Sequence, residues 1–185
     1  MSDWHFTFVE SNGACSPQHV WRHIVVTDTQ HRSIAKSNGE VRYQAKADNA
    51  WIVLSPMGMW TSGDEYGESA RRMSEAFKTR IIVMGGHTGI DAVIFGLFDR
   101  GVVVRALSAC EGQWSEVTGS PQDWEHEILK GVPPTDKEVV FNDGSLKSIA
   151  LHFGLPTPRI INPEYAIPWD IDEVISLSGP PPLPK

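Results

Sequence analysis

The chain has 185 residues, 41% of them hydrophobic and 21% charged, and a formal net charge of −7. That length makes one domain of ordinary size, and no apolar run approaches the roughly 20 residues of a membrane helix. Residues 1–109 balance their charges, whereas residues 110–185 hold 12 acidic residues against five basic ones, which excludes the basic footprint that nucleic acid requires.

Residues 4–9, Trp-His-Phe-Thr-Phe-Val, alternate aromatic and polar side chains and predict a strand. Ser16-Pro17 has the form of an N-cap followed by proline at the first helical position, which predicts a short helix through Val20, Trp21 and Ile24. Asn38-Gly39 marks a turn between two weak strands. Residues 51–54, Trp-Ile-Val-Leu, predict an apolar strand stopped by Ser55-Pro56.

Ser62 and Glu65 have capping-box spacing, and Tyr66, Ala70, Met73 and Phe77 recur on one helical face. Residues 80–84 predict a strand ending at Gly85-Gly86. Residues 92–98 and 101–107 predict two more, joined through Asp99-Arg100, with Gly101 able to take a positive φ. Further on, Ser120-Pro121 predicts a short helix over 121–130. A second helix starts at Asp143-Gly144-Ser145, carries Leu146, Ile149, Ala150 and Phe153 as its apolar stripe, and stops at Gly154.

Strands joined by tight late connections predict an α+β fold, a mostly antiparallel sheet with helices packed on one face. Residues 1–178 form one domain in this reading, and the proline-rich 179–185 form an extended tail. Cys15 and Cys110 make no disulfide framework, and residues 1–10 lack the basic and apolar regions of a secretory signal. The expectation is a cytoplasmic protein.

Candidate chemistry is sparse. His19 and His23, four apart on the first predicted helix, could share a metal with Cys15 and His31, but the glutamate of the zinc-protease pattern is missing. Two surface histidines are the ordinary alternative, and no metal or cofactor is expected. The glycine-rich 85–89 leads into a strand rather than a helix N-terminus, so it does not make a phosphate cradle. Cys110 stands beside Glu111, which raises a thiol pKa rather than activating the thiol. The helix at 145–155 is followed by Pro156 and Pro158, which rule out a recognition helix.

One constellation suits binding. Glu111, Trp114, Glu116, Asp123, Trp124, Glu125 and Glu127 crowd together in sequence. Indoles can anchor a basic protein while carboxylates steer it. The competing reading places both tryptophans in the core, with the acids merely solubilising.

Residues 51–155 resemble a set of bacterial α+β proteins. The shared outline is Trp51-Ile52-Val53, the pair Met73-Ser74, Asp91 with Phe95, Asp99-Arg100-Gly101, the run Gly119-Ser-Pro-Gln-Asp-Trp-Glu125, and Ile149-Ala150 ahead of Gly154-Leu155. Some proteins of this kind are encoded beside polymorphic or secreted toxins as immunity proteins. The resemblance implies a non-enzymatic protein that occludes the basic cleft of a cognate toxin. The alternative is a small-ligand-binding protein or enzyme with its pocket near the 85–91 loop, using His87 and Asp91.

Overall fold

The computed structural model describes residues 3–11, 20, 40–48, 51–56, 63–87, 89–129, 141–155 and 173–178. The predicted helix at 17–24, apart from the buried Val20, lies outside these residues, as do His19, His23, Cys15, His31, Ser62 and the 179–185 tail.

Eight strands form one sheet: β1 (Asp3–Glu10), β2 (Glu40–Asp48), β3 (Trp51–Pro56), β4 (Arg80–His87), β5 (Ala92–Asp99), β6 (Val102–Cys110), β7 (Gln113–Gly119) and β8 (Glu173–Ser178). Their order is β7-β6-β5-β4-β1-β3-β2-β8, and every neighbouring pair is antiparallel. Three helices complete the description: α1 (Gly63–Phe77), α2 (Asp123–Ile128) and α3 (Asp143–His152). The class is α+β, as the sequence predicts. Among the described residues, no helix is long and apolar enough to cross a membrane.

The helices divide between the two faces of the sheet, which corrects the expected one-sided arrangement. On one face, α1 packs Ala70 and Met73 against Val9, Ile52, Ile81, Val83 and Phe98. On the other, Trp124 of α2 and Leu146, Ile149 and Ala150 of α3 join Phe8, Ile82, Met84, Phe95 and Leu107. Successive residues of a strand point to opposite faces, so a strand covered on both sides must be apolar throughout. That is why residues 81–84 and 95–98 read as continuous apolar runs without alternation. β4 continues through Gly85 and Gly86, which pair with Ile94 and Val93.

Two hairpins share one turn chemistry. Asp99 pairs with Val102 across Arg100 (φ 49°) and Gly101 (φ 87°), and Cys110 pairs with Gln113 across Glu111 (φ 51°) and Gly112 (φ 72°). Positive φ at both central residues makes a type I′ turn, whose twist matches that of the strands. Helix α3 closes as its sequence predicts. Asn142 caps it by accepting the Ser145 N–H, and Gly154 at φ 60° lets the N–H of buried Leu155 donate to the Ala150 carbonyl at 2.9 Å.

Candidate partner-binding site

The seven candidate residues start from β7 and α2, and the fold does not bring them to one surface. Trp124 and Glu125 are inside the protein: Trp124 follows the core reading of the two, and Glu125 is corrected from a surface acid to a buried one. Trp124 packs its ring edgewise on Phe95 (centroids 5.5 Å apart) and Phe153 (5.9 Å). Its indole N–H meets no acceptor among the described residues.

Glu125 is drawn in by a cation. Arg105 stands in β6 and faces α2, with 2% of its surface exposed. Its Nε donates to Glu125 Oε1 at 2.9 Å and its Nη2 to Oε2 at 2.7 Å, while Nη1 donates to the Gly119 carbonyl at 2.8 Å. Glu125 Oε1 also accepts the Gln122 N–H at 2.7 Å, capping α2. A buried guanidinium demands such a bidentate, fully bonded carboxylate. A charge inside the apolar run 102–107 is the sequence signal that a buried partner exists.

Trp114 is half-buried, stacked on Phe141 with centroids 5.5 Å apart and an interplanar angle of 17°. It faces the α2 and α3 side of the sheet along with Val117. Glu116 faces the α1 side, because it pairs with Ser108, which in turn pairs with Ile94. Glu111 projects from the β6–β7 turn, and Asp123 and Glu127 are exposed on α2.

Among the described residues some carboxylates are paired with a cation, and these four exposed acids, like Asp91 and Asp143, are not. Glu10 pairs with Arg80, Glu68 with Arg71 and Arg72, Glu75 with Arg71, Asp99 with Arg100, and Glu125 with Arg105. Glu111, Glu116, Asp123 and Glu127 form no ion pair among the described residues. Glu116 meets only the Thr118 hydroxyl, at 3.3 Å.

Sequence reasoning missed a groove. Helix α1 covers β4 and β5 and reaches β6, leaving a cavity of about 470 Å³ between its flank and β7. Small residues open it: Gly67 on the helix, and Gly96, Ala106 and Ser108 on the sheet. Phe98 folds its ring over Gly96 so closely that a Cβ there would lie 2.6 Å from the ring. The apolar floor is Val83, Ile94, Phe98 and Val103, and the wall toward β7 is Ser108, Ser115, Glu116 and Thr118. On the helix side, both oxygens of Glu68 accept from Arg71 (2.8 and 2.9 Å) and one also from Arg72 (2.7 Å). Those bonds hold the Glu68 carboxyl well below its ordinary range, at about 2.

The 85–91 loop is arranged differently from the alternative reading. His87 Nδ1 accepts the Gly89 N–H at 3.0 Å, which uses the ring to shape the turn. Asp91 is exposed at φ 46°, and neither residue lines the groove. Cys110 donates its S–H to the Ile90 carbonyl at 3.6 Å.

Comparison with protein-family models, curated proteins and solved structures gives no significant match to this chain.

Proposed function

We propose that this is a non-enzymatic cytoplasmic protein that binds a basic protein, and specifically an immunity protein that occludes the basic cleft of a cognate bacterial toxin. One observation carries the reading. The exposed carboxylates Glu111, Glu116, Asp123 and Glu127 have no cation of their own among the described residues, a state they share with Asp91 and Asp143. Unneutralised charge raises the encounter rate with a basic surface. The resemblance to immunity proteins supplies the class of partner. Glu116 lies on one face of the sheet and Asp123 and Glu127 on the helix at the other, so the partner contacts the β7 region from more than one side.

The test is capture of a partner from the native host with tagged full-length protein, followed by mass measurement of the purified complex. The expected result is a single stoichiometric basic protein. Its association rate falls steeply with salt and falls again in the E111K/E127K variant. Recovery of no stoichiometric partner, or of one whose association ignores both salt and charge reversal, overturns the reading.

A further inference from the structure

We infer that the groove between α1 and β7 receives an arginine side chain of the protein partner. This rests on the partner-binding reading and adds where the contact is made and by what residue. The groove combines an apolar lining with a few polar groups, the usual makeup of a ligand-binding cleft. Its floor of Val83, Ile94, Phe98 and Val103 offers apolar surface to the methylene stem of a long side chain. Its wall offers the Glu116 carboxylate and the hydroxyls of Ser108, Ser115 and Thr118, all able to accept from N–H groups.

The local charges leave a place for a cation. Arg71 and Arg72 are matched by Glu68 and Glu75, and Arg71 Nη1 also donates to the Gly101 carbonyl at 3.2 Å. That cluster is neutral and internally bonded. Glu116 is the carboxylate left over, and its sole described contact is a hydroxyl two residues away. Guanidinium suits this wall better than ammonium, because its planar fork can bond the carboxylate in two places and still reach the serine hydroxyls. Arginine is also among the residues most often found to dominate binding energy at interfaces.

The experiment uses the whole chain, labelled with ¹⁵N, and titrates it with Nα-acetyl-arginine methylamide. The citrulline analogue, equal in shape but uncharged, is the control. Saturable shifts are expected at the amides of Ile94, Ser108, Ser115, Glu116 and Thr118, with at least tenfold weaker binding of the citrulline compound. E116Q should weaken the arginine probe by a similar factor. A106L should abolish binding by filling the floor; if it fails to fold, S108L at the more open end takes its place. Absent shifts, shifts elsewhere, or equal binding of both compounds overturn the inference. If a partner is captured but binds E116Q and the filled-groove variant at parental affinity, the groove assignment fails and the protein-binding reading stands. If the probe binds as expected but no partner is captured, the protein-binding reading fails, and with it the assignment of the arginine to a protein.

Discussion

Arg105 of β6 and Glu125 of α2 form a two-pronged ion pair inside the protein, with exposures of 2% and 1%. The pair ties a six-residue helix to the sheet and fixes where α2 begins, because Glu125 bonds the Gln122 N–H as well. So short a helix has little intrinsic stability. Its position comes from this pair and from Trp124 seated on Phe95.

Breaking the pair should cost far more than replacing it. Glu125→Ala leaves the Arg105 guanidinium buried without a counter-charge, with an expected loss of about 3–5 kcal/mol. The double variant Arg105→Met/Glu125→Leu fills similar volume without charge and should recover most of that loss. Urea unfolding of the single and double variants measures the coupling. A double variant no more stable than Glu125→Ala would contradict this account.

The two tryptophans should separate into core and flank. Trp124→Ala removes a buried ring packed on two others and should destabilise by about 3–5 kcal/mol. Trp114→Ala, at a half-buried ring stacked on Phe141, should cost less, with the stacking worth about 0.5–1.5 kcal/mol beyond the area lost. Thermal unfolding ranks them. Equal losses would mean that Trp114 is as much a part of the interior as Trp124.

Much of the sheet is legible from residues. The runs that form β1, β3, β4, β5 and β6, and the start of α3 at Asp143 and its stop at Gly154, follow from apolar clustering and turn chemistry. β7 is not legible because a bulge breaks its period. Ser108 pairs with Glu116 but Ala109 with Trp114, so Ser115 is an extra residue, and Trp114 and Val117 share a face although three apart. An odd spacing hides a strand from a search for strict alternation. Glu125 was misleading for another reason. The sequence displays its charge but not Arg105, which lies 20 residues away and meets it only once the sheet forms. The groove was invisible because it arises from residues that are small rather than reactive.

Asp143 should reduce stability at neutral pH. Burial, then the nearby charge of Asp91, push its carboxyl above the ordinary value of 3.8. A carboxyl raised in the fold binds its proton more tightly folded than unfolded. Its contribution is therefore fully present below the unfolded value and is lost as pH rises through the folded one. Asp143→Asn keeps a neutral side chain at every pH, so it should unfold at higher urea than the parent at pH 7 and show little difference near pH 3. A difference independent of pH would show that the carboxylate charge is not the cause.

Gly119 and Gly112 offer a matched test of strain against crowding. Both have φ in the left-handed region, at 85° and 72°. An alanine at either position incurs the backbone strain of that region, about 1–2 kcal/mol. At Gly112 the added Cβ meets nothing within 4 Å, so Gly112→Ala should lose only that amount. At Gly119 the Cβ would stand 2.2 Å from the Val104 carbonyl oxygen, which is backbone and cannot swing aside. The same glycine's carbonyl receives Arg105 Nη1, so any shift of the chain also disturbs the buried pair. Gly119→Ala should therefore be at least twice as destabilising as Gly112→Ala, and its effect should be non-additive with Glu125→Ala in a double-mutant cycle. Equal, additive losses would show that the end of β7 yields freely and does not position the ion pair.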